Sequence, residues 1–305
     1  MAAKTDRLRA ADEKEGIESI LKKLKLIVDG KLTNAAIMLF GKEPQKYFTN
    51  AKVRVGRLKN ETTIVNDRLI EGNLFTQALE AEEAIKNCID VKYEIPGDGF
   101  VRKNIWDYPL DALRETLYNA LIHRDYFKYN VQVQIKIFDD RTWFFNTGKL
   151  PEGIDLEQLK QPHPSIARNP LIVHVFYLAG FIEEYGSGIG RILEAAELHG
   201  LPEPEFKEEF GGFSVYFYKD IYSEEKLEKL GLSQRQIKAV MYVKENGKIT
   251  NKELQNYLSI TKKTSSRELA ALVKKGILEQ KGIAGRGVFY ILASFKQDIN
   301  GTNET

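Results

Sequence analysis

The stretch Pro109-Leu110-Asp111-Ala112-Leu113-Arg114-Glu115-Thr116-Leu117-Tyr118-Asn119-Ala120-Leu121-Ile122-His123-Arg124-Asp125 carries two stripes at once. Leu110, Leu113, Leu117, Ala120 and Leu121 recur at three and four, the period of a helix with one buried side. Glu115, Asn119 and His123 are spaced by four, so they share a second, polar stripe away from the leucines. Pro109 suits a first helical position, where a missing N–H costs nothing. A helix is therefore expected from about Pro109 to Ile122. Polar stripes of this kind are usually solvated surface, and His123-Arg124-Asp125 alone would pass for a polar network at a helix end.

Working outward, Val131, Val133, Ile135 and Ile137 alternate with Gln132, Gln134 and Lys136, the period of a half-buried strand over Val131–Phe138. Asp139-Asp140 turns it into a second strand, Thr142–Phe145. Residues 146–169 are rich in Pro and Gly and read as a long loop. Helices over Pro170–Ala179 and Ile189–His199 and a strand over Phe213–Tyr218 follow. Upstream, the order is a charged amphipathic helix within residues 1–30, a short helix Ala35–Phe40, strands Ala51–Leu58 and Thr62–Ile70, a helix Leu74–Asn87, and a strand Ile89–Ile95 closed by Pro96-Gly97-Asp98-Gly99. Helices laid on an antiparallel or mixed sheet satisfy this order, so the expected fold class is α/β, as an α+β sandwich.

At 305 residues the chain is long enough for two or three domains. Its 43% hydrophobic and 29% charged content suits packed domains and excludes disorder. No apolar run approaches the roughly 18–20 residues of a membrane span, and the first residues lack the apolar core of a signal peptide, so the expected location is cytoplasmic with no membrane partner. The one cysteine, Cys88, excludes an internal disulfide and a thiolate metal cage, and its apolar neighbours predict a buried thiol.

The formal net charge of +2 decides nothing, but its distribution does. From Thr261 to Gly287, Lys262, Lys263, Arg267, Lys274, Lys275, Lys281 and Arg286 face only Glu268 and Glu279. The same region carries a Ser233-capped helix Gln234–Glu245, the capping box Thr250-Asn251-Lys252-Glu253 opening a helix to Leu258, a helix over Lys263–Lys275, and strands Ile277–Gln280 and Val288–Leu292 joined at Gly-Arg-Gly. Three short helices and a two-stranded wing make a winged helix-turn-helix plan, whose second helix enters a major groove of double-stranded DNA. Thr264, Ser265 and Arg267 would face base edges, Lys262 and Lys263 phosphates, and Arg286 a minor groove, with Lys274 a further DNA-binding residue of the same helix. Simple solubilising charge, or pairing of the domain with another protein as a dimerisation module, is the competing account.

Two glycine segments complete the pattern. Asn146-Thr147-Gly148-Lys149-Leu150-Pro151-Glu152-Gly153 follows a strand directly. Glu184-Tyr185-Gly186-Ser187-Gly188-Ile189-Gly190-Arg191 opens a helix, where backbone N–H groups suit phosphate. Each is a weak signal by itself, with neither a Rossmann strand nor a Walker lysine. In the order NALIHRDY, NTG, Arg168-Asn169-Pro170, EYGSGIGRI and GRGVFYIL, however, the chain resembles a divergent branch of the GHKL (Bergerat-fold) ATPase superfamily. That branch occurs in prokaryotic transcriptional regulators that carry a Schlafen/Alba-like domain and a winged helix, and it is often labelled ATP-dependent DNA helicase-related. The resemblance implies ATP and Mg²⁺ as ligands. It implies Glu115 as the residue activating water, Asn119 as the magnesium ligand, and Gly186, Gly188 and Gly190 as the phosphate loop. His123, Asn146 and Gly148 complete the nucleotide site. The superfamily's base-reading aspartate is replaced by Asn146, which can still accept through its carbonyl oxygen but without charge.

The expected organisation is the end of a Schlafen/Alba-like domain over 1–58, a GHKL-like α/β domain over 59–220, a linker over 221–230, a winged helix over 231–296 and a tail over 297–305. The leading expectation is a DNA-binding transcriptional regulator, working as a homodimer, with a degenerate nucleotide site. A slow Mg²⁺-dependent ATPase and a protein-interaction module without nucleotide are the alternatives.

Overall fold

The computed structural model describes residues 16–94, 102–151, 153–161, 163–164, 166–183, 186–219, 222, 224–283 and 286–293. The chain divides into two compact units, one ending at Lys219 and the other beginning at Asp220.

In the first unit, α1 (Ile17–Lys23), the two-residue ladder β1 (Ile27–Val28) and β2 (Lys31–Leu32), and α2 (Asn34–Phe40) lead into β3 (Val53–Leu58) and β4 (Ile64–Ile70). Then come α3 (Leu74–Lys86), the hairpin β5 (Val91–Glu94) and β6 (Lys103–Trp106), and α4 (Leu110–Ile122). The strands β7 (Val133–Ile137) and β8 (Arg141–Asn146) are followed by α5 (Leu156–Leu159), α6 (Pro170–Leu178), α7 (Gly188–Leu198), β9 (Glu205–Glu209) and β10 (Gly212–Tyr218). Six strands form one mixed sheet in the order β4-β3-β7-β8-β10-β9, with β3 and β7 parallel and every other neighbouring pair antiparallel.

Strand alternation sets which side is covered. Val53, Val55, Val133, Ile135, Ile137, Phe144, Val215 and Phe217 are buried in one cluster with Ala78 and Ala81 of α3, Leu113, Leu117 and Leu121 of α4, Phe176 of α6 and Ile192 of α7. Four rings knit the helices above it, with Phe75 stacked on Phe176 at 5.2 Å and Tyr118 tilted against Phe181 at 5.3 Å. The opposite face bears Lys136, Trp143, Tyr216 and Tyr218, all half-buried.

Differences from the sequence reading have local causes. The boundary expected at residue 58 falls inside the sheet, because β3 pairs with β4 on one side and β7 on the other. Glu203–Glu209 reads as an acidic stretch, yet Glu205–Glu209 within it is an edge strand in which only Phe206 is buried. The turn at 96–99, the residues before 16 and the tail at 297–305 lie outside the described residues.

The second unit holds α8 (Glu224–Lys229), α9 (Gln234–Asn246), α10 (Asn251–Leu258), α11 (Lys262–Lys274) and the hairpin β11 (Leu278–Ile283) and β12 (Arg286–Leu292). Leu227 is fully buried in its core, so the stretch expected as a linker over 221–230 carries a packed helix. Ser233 and Thr250 each close a reciprocal capping box. Ile249 and Tyr290 exchange backbone hydrogen bonds at 2.8 Å, tying the entry of α10 to the hairpin. Among the described residues, no helix is long and apolar enough to cross a membrane.

Candidate functional site

The α4 helix buries Leu113, Leu117 and Leu121 and leaves Glu115, Asn119 and His123 half-buried along its other side. Three later segments close around that stripe. At the end of β8, the Asn146 Oδ1 accepts the Gly148 N–H at 2.6 Å, a tight Asx-type turn. The turn rests on the C-terminus of α4. A Cβ on Gly148 would lie 3.0 Å from the His123 carbonyl carbon and nearer still to its oxygen, so glycine is required there by close approach. Gly212, opposite on β10, is under the same constraint against the Asn146 carbonyl. Asn169 pins the assembly by donating from Nδ2 to the carbonyls of Ile122 and Arg124, both at 2.8 Å. Arg168 donates to the Lys149 carbonyl at 2.9 Å, and Thr147 to that of Asp125 at 3.2 Å.

The third segment is the entry to α7. Ser187 gives no side-chain cap, and the first intrahelical bond runs from the Arg191 N–H to the Ser187 carbonyl. The N–H groups of Gly188, Ile189 and Gly190 therefore have no acceptor within the helix. Glu115 lies directly against Gly188, where a Cβ would collide with its carboxylate and come within 3.4 Å of Asn119 Nδ2. Arg191 holds that carboxylate at 3.0 Å while its other nitrogen donates to Ser187 Oγ at 2.8 Å.

Glu115, Asn119, His123, Asn146, Gly148, Gly186 and Gly188 thus line one cavity of about 150 Å³, walled by Phe144, Leu150, Ile154, Val173 and Ile182. Gly190 stands outside it, exposed in the first turn of α7 with open space where a Cβ would go, so close approach does not explain its glycine. Glu184 and Tyr185 lie outside the described residues. Burial, aided by the positive charge of Arg168, holds the His123 imidazole down to about 4, so it is neutral at pH 7. A cavity that combines apolar walls with the Asn119 and Asn146 amides and an uncapped helix start suits a planar polar head carrying an anionic tail. Among the described residues, no cluster of three or more His, Cys, Asp or Glu could hold a metal. A magnesium ion here would arrive on phosphates and take Asn119 as its protein ligand.

Arg191, Asn169 and Gly212 were not legible as site residues. The first two stood inside quoted motifs, but their partners are 76 and 45 or more residues away. Arg124, in the NALIHRDY motif, is buried and bonds the carbonyls of Lys52 and Val131, which fixes the entries of β3 and β7 rather than the cavity. Cys88 is buried, and burial pushes its thiol up, as a packing thiol requires.

On α11, Lys262, Lys263, Arg267 and Lys274 are exposed, and Lys263, Arg267 and Lys274 fall on one outer stripe with Ala270. Thr264 is half-buried, its hydroxyl 3.0 Å from that of the capping Thr261. Ser265 departs from the expected role. It is fully buried and donates to the Asn251 carbonyl at 3.1 Å, joining α11 to α10 instead of facing outward. Ser266, unremarked in the sequence, is exposed and accepts from Asn251 Nδ2 at 2.9 Å. The Arg286 side chain lies outside the described residues.

Comparison with known proteins adds two similarities. Residues 130–217 match the family described as "Putative ATP-dependent DNA helicase recG C-terminal". No curated protein matches the chain. Among solved structures, the DIP2311 protein from Corynebacterium diphtheriae superposes with a TM-score of 0.58 at 19% identity, over 95% of this chain and 60% of that one. This likeness is one of fold, and the chain spans 60% of the length of that protein. The β7-to-β10 part of the larger unit, with the Asn146 turn and the Gly186–Gly190 loop, is thus similar to a helicase-related, ATPase-like domain on a mixed α/β fold.

Proposed function

We propose that the chain is a DNA-binding transcriptional regulator whose larger unit binds a nucleotide. The observation that carries the nucleotide half is convergence. Three segments far apart in sequence, on α4, after β8 and at the start of α7, meet in one cavity with their polar groups inward. In this reading the larger unit is a divergent Bergerat-type sandwich. The free N–H groups of α7 meet phosphate, Asn119 completes a magnesium shell, and the apolar walls take the base. Glu115 is the residue placed to polarise water, but Arg191 already occupies its carboxylate. Binding without appreciable turnover is the better-supported form, and slow Mg²⁺-dependent hydrolysis requires Arg191 to release it.

The smaller unit is read as a winged helix, and the exposed Lys263–Arg267–Lys274 stripe with Lys262 supports DNA as its partner. A homodimer on paired half-sites follows from the same reading. The test is anisotropy of labelled duplex DNA with the full chain at rising salt. Lys262→Ala with Lys263→Ala should weaken all duplexes and flatten the salt slope by roughly 0.9 for each phosphate no longer neutralised. A salt dependence unchanged in that variant removes the DNA half of the proposal.

A further inference from the structure

The amide of Asn146 has two ends, and the turn has already used one of them. Its Oδ1 is taken by the Gly148 N–H at 2.6 Å and would lie 2.9 Å from a Cβ on Gly148, so the oxygen faces the backbone of its own turn. The oxygen assignment is fixed by chemistry, because an N–H donor needs an acceptor and the amide nitrogen has none to offer. Among the described residues, Nδ2 has no hydrogen-bond partner, although Asn146 as a whole is 5% exposed and lines the cavity. What the end of β8 presents to a ligand is therefore an N–H₂ donor. An aspartate in the same turn would keep the Gly148 bond with one oxygen and present an acceptor with the other.

We infer that the cavity is a site for 6-oxopurine nucleotides, the guanine and hypoxanthine class, with Asn146 Nδ2 donating to the base O6. This rests on the nucleotide-binding reading above and adds the identity of the base. A 6-aminopurine that met Asn146 Nδ2 with its exocyclic amino group would set its own N–H₂ against that of Asn146, donor to donor. A buried donor left without an acceptor is costly, which is why sites built around one hydrogen bond discriminate strongly against the analogue that cannot complete it.

The experiment is calorimetric titration of the full chain with ITP, GTP and ATP, each with Mg²⁺. The three carry identical phosphates, and ITP differs from ATP at the position facing Asn146. ITP and GTP should bind at least tenfold more tightly than ATP, and Asn146→Asp should reverse that order. The Gly148 bond survives in that variant, and an unchanged melting temperature confirms its fold. ATP binding as tightly as ITP overturns the base assignment while leaving the nucleotide reading intact. An Asn146→Asp protein that keeps the wild-type preference overturns the role of Asn146. No binding of any of the three overturns both this inference and the reading beneath it.

Discussion

Gly148 and Gly190 come from the two glycine segments of the larger unit, and the same substitution should move its stability in opposite directions. At Gly148 an added Cβ meets backbone. The His123 carbonyl carbon would be 3.0 Å away, inside the ~3.5 Å at which carbon atoms rest, and the carbonyl oxygen closer still. Neither group can rotate aside. His123 caps α4 through its N–H to the Asn119 carbonyl, and the turn is held by the Asn146–Gly148 bond. Relief requires the β8 turn to lift from α4, breaking that bond and loosening the hydrogen bond from Thr147 to Asp125. Overpacking of this kind costs about 1–3 kcal/mol, and the broken buried hydrogen bond adds ~1 kcal/mol, so Gly148→Ala should lose about 2–4 kcal/mol. At Gly190 nothing lies within 4 Å of the new Cβ, and the residue is helical and exposed, so alanine should gain up to ~1 kcal/mol. For a unit of this size, each kcal/mol moves the midpoint by roughly 2–4 °C. Differential scanning calorimetry should show Gly148→Ala melting about 4–16 °C below wild type and Gly190→Ala slightly above it. A Gly148→Ala protein with the wild-type midpoint would refute the close-approach argument for the turn.

Asn169→Ala deletes both donors to the Ile122 and Arg124 carbonyls and should cost about 1–3 kcal/mol in urea unfolding. Asn169→Asp should cost more, because a carboxylate would face two carbonyl oxygens. For His123, the unfolded ring takes up a proton below about pH 6.5, while the folded ring resists until about 4. Stability from this group is therefore complete above the unfolded value and falls as pH drops from 6.5 towards 4, by up to ~3 kcal/mol. His123→Gln should flatten that part of the stability curve, and an equally steep curve in the variant assigns the acid loss elsewhere. Ser265→Ala should cost about 1 kcal/mol of stability in the smaller unit and leave DNA affinity unchanged, whereas Arg267→Ala should do the reverse.

Much of the architecture was legible because its signals are local. The Leu113/Leu117/Leu121 stripe, the Val133/Ile135/Ile137 alternation and the capping boxes at Ser233 and Thr250 each lie within a few residues, and each marks an element the chain forms. Elements whose burial depends on a distant neighbour were harder to read. β9 carries its glutamates at a sheet edge, where Glu205 and Glu209 accept from the Tyr218 and Tyr216 hydroxyls of β10, and only Phe206 betrays the strand. β5 and β6 are short and pair mainly with each other. Within the cavity, residue types at helical spacing showed that Glu115, Asn119 and His123 share a side. They could not show that Arg191 holds Glu115, or that the Gly148 N–H consumes the Asn146 oxygen. Ser265 was misplaced by a subtler cause. Its position on α11 lies one residue from the exposed Ser266, and a helix turns roughly 100° per residue, enough to carry a hydroxyl from solvent to the α10 interface.

The central claim is that the α4–α7 cavity holds a nucleotide, and Gly188 gives it the most direct test. A Cβ there would press on the Glu115 carboxylate and approach Asn119 where phosphate and metal would sit, while alanine's helix propensity offsets part of the broken Glu115–Arg191 pair. The Gly188→Ala chain should therefore fold with a midpoint near wild type. Calorimetry with millimolar GTP and Mg²⁺ should give saturable heat at one site per wild-type chain, and at least a tenfold loss of affinity in Gly188→Ala. No heat from the wild-type chain with any purine nucleotide, or the same isotherm from both proteins, would contradict the account.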